Sequence, residues 1–315
     1  MDISIVTTMY YSASFIEEFY RRAKSAAEKI TEDYEIIFVN DGSPDNSLEA
    51  AVALHQKDPR VRVIDLSRNF GHHKAIMTGL AHAGGDRVFL LDVDLEEQPE
   101  DLAKLDEEMK RTGADVVYGV QKKRKGGIVE KITGKIFYSM FRLLARVDLP
   151  ENLITMRLMT RRYVQALVAH RDQEVFLAGL WIITGFYQAP LTVEKMSTSR
   201  TVYTFRRKMA IVLNSVTSFS NRPLVFVFYL GLSILLLCGL WCIYLFVMWI
   251  IYREFLAGWL SVFLSVWIVG GLLLFSIGII GIYLSKIFME TKDRPYTVIR
   301  RLYSRGQGED QNGAC

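Results

Sequence analysis

Arg87-Val-Phe-Leu-Leu-Asp92-Val-Asp94 is the stretch that decides how this chain reads. Val88 to Leu91 are continuously apolar, the pattern of a strand buried on both faces of a parallel sheet. Such a strand delivers Asp92 and Asp94 to the carboxyl edge of the sheet, where open α/β sheets bind their ligands. Two carboxylates one residue apart repel each other unless a cation sits near them, so the pair points to a hard metal ion. A solvated loop after a strand is the plainer reading of an isolated D-x-D, and the surrounding sequence has to choose between the two.

Working outward, strand-like and helix-like segments alternate through the first 120 residues. Ile3 to Thr7, Glu35 to Val39, Val61 to Ile64, Val88 to Leu91 and Asp115 to Tyr118 read as strands. Phe15 to Ile30, Asp45 to Gln56, His73 to Ala83 and Glu100 to Arg111 carry helical spacing, and Pro99 suits a first helical position. The alternation predicts a mostly parallel sheet with helices on both faces. Met1-Asp-Ile-Ser-Ile-Val-Thr lacks the basic start and the length of a cleavable signal peptide, and reads as the first strand.

The other end of the chain is different. Between Leu224 and Ser285 the only formal charges are Arg253 and Glu254, which leaves two apolar spans, 224–252 and 255–285. Each exceeds the roughly 20 residues that cross a bilayer core, so a membrane hairpin is favoured over a buried soluble one. Arg206, Arg207, Lys208 and Arg222 precede it, and Lys286, Lys292, Arg294, Arg300 and Arg301 follow it. The positive-inside rule then places both flanks, and the N-terminal domain with them, in the cytoplasm at the plasma (inner) membrane. Gly270, Gly271, Gly278 and Gly281 in the second span permit close helix packing, either within the hairpin or between copies in a homo-oligomer.

The net charge of +4 is modest and the basic residues fall in a few clusters, which suits a membrane surface or a phosphate partner and not nucleic acid. Of three cysteines, Cys238 and Cys242 lie in the first span and Cys315 is terminal, so neither a disulfide framework nor a zinc site is indicated. Lys122-Lys-Arg-Lys-Gly-Gly127 reads as a charged break. Ile128 to Arg146 then reads as a basic amphipathic helix, either interfacial or packed in the ordinary way. The divisions expected are an α/β core (1–120), a further part of the same domain with juxtamembrane helices (121–222), the hairpin (223–286) and a cytoplasmic tail (287–315).

Four strand ends share one edge: Thr7-Thr-Met-Tyr10, Asn40-Asp41-Gly-Ser-Pro-Asp45, Asp65-Leu-Ser-Arg-Asn-Phe-Gly-His-His-Lys74 and Asp92-Val-Asp94. No G-x-G-x-x-G follows the first strand and no Walker loop is present, so neither common phosphate loop serves this sheet. The order V-N-D-G-S-P-D-N-S, S-R-N-F-G-H-H-K-A, D-V-D-L-E-E-Q-P-E resembles family 2 glycosyltransferases of the GT-A (Rossmann-like) fold. With the hairpin, the chain most resembles the branch that makes polyprenyl-phosphate sugars, such as dolichol-phosphate mannose synthases and bacterial GtrB-type glucosyltransferases.

That resemblance implies roles. Asp41 would contact the base or ribose of the donor, with Thr8 and Tyr10 completing the wall. Asp92 would hold the ribose or sugar, and Asp94, with Glu96 where many relatives have Gln, would ligate Mg²⁺ or Mn²⁺ on the diphosphate. His72 and His73 are adjacent at a helix entrance and so diverge, which sets a metal role for them below a diphosphate or structural one for His73 and Lys74. Arg124, Arg157 and Arg200, with Lys122 and Lys123, would cradle the acceptor phosphate.

Three departures stand out: Thr8-Met-Tyr10-Tyr-Ser12 replaces the usual P-x-Y-N-E, Gln121 replaces a frequent Arg, and Thr155 stands where many relatives carry Asp. The implied reaction is inverting transfer of a sugar, glucose from UDP-glucose first, onto undecaprenyl phosphate. GDP-mannose, UDP-galactose or a UDP-amino sugar are alternative donors, and a catalytically silent nucleotide-binding scaffold is the alternative of a different class. A processive polysaccharide synthase is disfavoured by two spans and by Arg157-Leu-Met-Thr-Arg-Arg162 in place of Q-x-x-R-W.

Overall fold

The computed structural model describes residues 1–121, 153–194, 222–252 and 258–304. Lys122, Lys123, Arg124, Arg200, the 128–146 segment and the 253–254 turn lie outside the described residues.

All five expected strands form: β1 (Ile3–Met9), β2 (Tyr34–Asn40), β3 (Val61–Leu66), β4 (Arg87–Leu90) and β5 (Val116–Gln121). Three more follow: β6 (Leu153–Thr160), β7 (Gln188–Val193) and β8 (Ile299–Tyr303). They make one sheet in the order β7-β5-β6-β4-β1-β2-β3-β8. β1 pairs in parallel with β2 and β4, β2 with β3, and β5 with β7. β6 runs antiparallel between β4 and β5, and β8 antiparallel to β3. The sheet is thus mixed α/β and mostly parallel, of GT-A type, with β1, β2, β4, β5 and β7 all ending at one carboxyl edge.

Every residue of β1 and β2 is buried, as the β-branched runs of a strand covered on both faces require. On one face lie α1 (Ile16–Glu28), α2 (Ser47–Lys57) and α4 (Leu102–Thr112). α1 buries Ile16, Phe19, Ala23, Ala26 and Ala27, one stripe at helical spacing, against Phe38 and Phe89 of the sheet. α4 follows a 3₁₀ turn begun by Pro99 and ends at Gly113, whose φ of +67° is the left-handed stop that glycine supplies. α3 (His72–Ala81) and α5 (Arg161–Val168) cover the other face, and α6 (Leu177–Ile183) precedes β7.

The apolar C-terminal region forms α7 (Arg222–Tyr252) and α8 (Trp259–Thr291), a compact unit of its own. Within them Leu224–Met248 and Ser265–Thr291 are long and apolar enough to cross a membrane, with 6% and 0% of the most apolar window buried. A helix apolar all round belongs in a protein core or in lipid, and here Phe226, Trp241 and Leu274 are exposed. α8 ends at Thr291, and the stretch read as a tail then contributes β8 to the sheet domain. Hydropathy alone could not show this, because a five-residue edge strand carrying two arginines looks like a basic tail.

Candidate active site at the carboxyl edge

β4, β1 and β2 are neighbours, so Asp92 and Asp94, the Thr8–Tyr10 end and Asp41 come to adjacent positions on one edge. Asp41 is buried, and its carboxylate accepts hydrogen bonds from Phe70 N–H (2.7 Å) and Gly71 N–H (3.0 Å). Burial raises its pKa, and these two backbone donors pull the other way without cancelling it. The loop between β3 and α3 therefore closes over the end of β2. Gly42 makes that possible. It sits at φ +60°, and a Cβ there would lie 2.5 Å from Arg68 C and Asn69 N, so only glycine lets the two loops touch.

Neighbouring contacts fix the same loops. Asn40 Nδ2 donates to Asp65 Oδ1 (2.8 Å), and Asn40 Oδ1 accepts from Ser43 N–H. Asp45 accepts from the Ser43 and Ser47 hydroxyls, from Ser47 N–H and, across to the β1–α1 loop, from Ala13 N–H. Burial pushes the Asp45 pKa up, but these donors outweigh it and hold the carboxyl down at about 2. Ser43 also accepts from Tyr11 N–H, with Tyr11 at φ +54°. Tyr10 and Tyr11, ring centroids 4.8 Å apart and edge to face, stay exposed above this frame.

On the β4 side, Asp92 is partly exposed and Asp94 accepts from Glu96 N–H at 3.0 Å, while Glu96 is buried. Thr8 Oγ1 lies 3.0 Å from His72 Nδ1, and His72 Nε2 lies 3.5 Å from Asp92 Oδ1. His73 Nδ1 is 3.1 Å from the Val175 carbonyl, and Lys74 follows in the first turn of α3. Among the described residues, no three His, Cys, Asp or Glu side chains form a ready metal cage. The donors at Asp94 and Glu96 are all oxygen. Mg²⁺ is commonly held by one or two carboxylates plus substrate phosphates, so this donor set fits a cation that arrives with a diphosphate.

The register Leu90↔Arg157 sets Arg157 beside the last residue of β4, and because β6 runs antiparallel, Thr155 lies nearer the carboxyl edge than Arg157. Thr155 is held from both sides: its N–H donates to Glu97 Oε1 (3.1 Å) and its carbonyl accepts from Arg157 Nε (3.1 Å). Arg157 Nη2 also donates to the Ile154 carbonyl, and the guanidinium lies on the Trp181 ring. Arg157 is fully buried, and desolvation pulls its pKa well down, to about 9. A cavity of about 380 Å³ beside it is lined by Tyr118, Leu153, Trp181, Phe186 and Tyr187 among others. Arg157 thus stands behind Thr155 relative to the edge where Asp92 lies.

Sequence reasoning brought Thr8, Tyr10, Asp41, Asp92, Asp94, Glu96 and Lys74 to this edge, and the fold gathers them there. It missed the frame: Asp45, Asn40, Glu97, and the ring of His72 between two strand ends. The Asn40-Asp41-Gly-Ser-Pro-Asp45 stretch did hold a signal, since Asp two residues before Ser47 is the spacing of a local side-chain cap.

Comparison with known proteins finds a family and several relatives. The model of Glycosyl transferase family 2 matches residues 4–168. A Mycobacterium tuberculosis (strain CDC 1551) protein, whose name places it among the glycosyltransferases without naming a substrate, is 56% identical over 96% of this chain and 89% of its own. The bactoprenol glucosyl transferase of Shigella phage SfX is 31% identical over 95% of this chain and 99% of its own. The solved structure of glucosyl-3-phosphoglycerate synthase from Mycobacterium tuberculosis with Mn²⁺, UDP and glucosyl-3-phosphoglycerate aligns over 69% of this chain and 77% of its own, at 16% identity and a TM-score of 0.46.

Proposed function

The chain belongs to glycosyl transferase family 2, and from that membership we propose that it moves glucose from UDP-glucose onto a polyprenyl phosphate at the cytoplasmic face of a membrane. One observation carries the reading: Asp41, Asp92 and Asp94 stand at neighbouring strand ends of one edge, in a chain that also holds two exposed membrane-length helices. The bactoprenol named for the phage relative, matched over nearly its whole length, supports a polyprenyl phosphate acceptor.

In this reading the base rests on the exposed Tyr10–Tyr11 pair beside Asp41, whose place is held by Phe70 and Gly71. Asp92 holds the ribose or sugar. Asp94 and Glu96 would hold a divalent cation, which would supply charge neutralisation at the diphosphate. Lys74 contacts the diphosphate from the α3 start. The acceptor phosphate oxygen attacks the anomeric carbon as the bond to UDP breaks, and the configuration inverts. A phosphomonoester has its second pKa at about 6, so the lipid phosphate is mostly dianionic near neutral pH and needs no strong base. Thr155, with no proton-accepting carboxylate, is compatible with that chemistry. What the acceptor needs is charge neutralisation and alignment, which the reading assigns to Lys122, Lys123, Arg124 and Arg200. Arg157, buried behind Thr155, contributes by shaping the start of β6.

The sheet supports the same-side topology of this reading: β7 precedes the two apolar helices and β8 follows them, and both belong to one sheet.

The test is sugar transfer from a panel of radiolabelled nucleotide sugars to undecaprenyl phosphate by the purified protein in detergent, with and without EDTA, beside Asp94→Asn. Lipid product from UDP-glucose, abolished by EDTA and by the substitution, is the expected result. Product from another donor reassigns the sugar. No lipid product from any donor, with UDP still bound, refutes the acceptor and leaves a nucleotide-binding scaffold.

A further inference from the structure

His72 has no part in the reaction as described, yet its ring stands between two strand ends. Nδ1 lies 3.0 Å from Thr8 Oγ1, on β1, and Nε2 lies 3.5 Å from Asp92 Oδ1, just beyond β4. The two groups dictate the tautomer. An ionised carboxylate only accepts, so the ring proton belongs on Nε2. Nδ1 then keeps its lone pair and accepts a hydrogen bond from the Thr8 hydroxyl.

The backbone around it adds a second link. Gly71, at φ +101°, opens α3, and its N–H binds one oxygen of Asp41 while Phe70 N–H binds the other. The very next side chain reaches Asp92. One turn of three residues, Phe70-Gly71-His72, therefore holds the carboxylates on both sides of β1. The main chain serves Asp41 and the imidazole serves Asp92.

We propose that His72 is a positioning residue that fixes the Asp92 carboxylate for the nucleotide sugar, using Thr8 as its anchor. This rests on the reading that Asp92 contacts the ribose or sugar of the donor. The ring occupies one carboxylate oxygen and thereby sets the direction of the other. Without it, a partly exposed aspartate is free to rotate, and misplacement of a contacting group by about 1 Å can cost as much as 10²-fold in rate.

The experiment compares His72→Ala, His72→Gln and His72→Asn in the full-length protein in detergent. It follows kcat/KM for the donor and, separately, the affinity for UDP. His72→Ala is expected to lower kcat/KM for the donor by about 10- to 100-fold, with the Asp41 clamp left in place because it is backbone; UDP affinity stays within about threefold where Asp92 touches the sugar and falls in step with kcat/KM where it touches the ribose. Gln places an amide N–H near the Nε2 position and recovers most of the loss. Asn reaches only the Nδ1 position and does not. The Ala loss should also disappear in an Asp92→Asn background, since the group being positioned is gone. An unchanged Ala variant, equal rescue by Asn and Gln, or losses that add in the double variant would each overturn the proposal.

Failure of the reaction itself is told apart by a second readout. Should the wild type transfer no sugar, ¹⁵N NMR of the labelled imidazoles still reports the bridge. An Nε2–H tautomer of His72 that shifts at Nδ1 on Thr8→Val and at Nε2 on Asp92→Asn sustains it. A His72 signal indifferent to both refutes it.

Discussion

Gly42→Ala is the sharpest test of how the donor site is built. A Cβ at this position would lie 2.5 Å from Arg68 C, 2.5 Å from Asn69 N and 2.9 Å from Arg68 Cα, against an ordinary contact of 3.4–4 Å. The obstacle is backbone, so no side chain can swing aside. Left-handed φ costs an alanine about 1–2 kcal/mol, and forcing the overlap adds about 1–3 kcal/mol, for roughly 2–5 kcal/mol in all. Relief requires residues 68–69 to retreat by about 1 Å, which would take Phe70 N and Gly71 N beyond hydrogen-bond range of Asp41. Those bonds now span 2.7 and 3.0 Å, and a charge-assisted bond is worth about 1.5–3 kcal/mol. UDP affinity should therefore fall by about tenfold or more, measured by titration calorimetry in detergent. Gly113→Ala is the control, because it has φ +67° and nothing within 4 Å of its Cβ. It should lower thermal stability slightly and leave UDP binding unchanged. Gly42→Ala binding UDP within about twofold of wild type, with no more thermal loss than Gly113→Ala, would refute the two-loop clamp.

Three further outcomes are expected. Asp45 is held at about 2 against an ordinary 3.8, a lowered carboxylate pKa, so its stabilisation is present above that ordinary value and is lost as pH falls towards 2. Asp45→Asn should then cost roughly 1–2 kcal/mol at pH 7 after allowance for partial exposure, with the gap in melting temperature closing below pH 4; a gap independent of pH would count against the assignment. Arg157→Met leaves two strand carbonyls without their donor and should cost about 2–4 kcal/mol of stability. Unchanged melting with a raised KM for the lipid alone would instead place Arg157 in the phosphate cradle. Removing the hairpin should abolish transfer to long-chain polyprenyl phosphate while UDP binding persists, since tethering is what raises the effective acceptor concentration; undiminished transfer would remove the membrane from the mechanism.

The strand ends proposed to hold the donor were legible as positions because their information is local. Val88 to Leu91 is apolar without interruption, so Asp92 and Asp94 could be placed at a strand end before any pairing was known. The same holds for Asp41 after β2. β6 and β7 were not legible, and the reason is physical. β6 reads Leu153-Ile-Thr-Met-Arg-Leu-Met-Thr160, and its Arg157 is fully buried, which hydropathy cannot foresee because the Trp181 ring and two strand carbonyls that meet the guanidinium come from the fold. β7 carries Pro190, which marks an edge strand or no strand at all. His72 was weighed as a metal ligand or dismissed because its neighbour in sequence diverges from it. Its real neighbours, Thr8 and Asp92, come from other strands, and no spacing rule reports a contact of that kind.

β8 shows what the C-terminal residues do for the donor site. It pairs with β3 through Ile64↔Leu302 and Asp65↔Arg301. Just before it, Ser67 N–H donates to the Val298 carbonyl, Thr78 meets Thr297 at 2.8 Å, and Arg300 donates to the Ser67 carbonyl. Arg300 also faces Asp65, the residue that accepts from Asn40 at the end of β2. The segment that follows α8 is thus bonded to Ser67, at the start of the short path from β3 to Gly71 whose backbone holds Asp41, and to Thr78 in α3 beyond it. Arg300 and Arg301 suit the outermost strand for a second reason: charge on an edge discourages pairing with another chain. Local opening of β8 would strip Ser67 of its partners and slacken the loop three residues before Phe70. The donor wall and the return from the hairpin are consequently one hydrogen-bonded structure, and the strand that closes the sheet also braces the site.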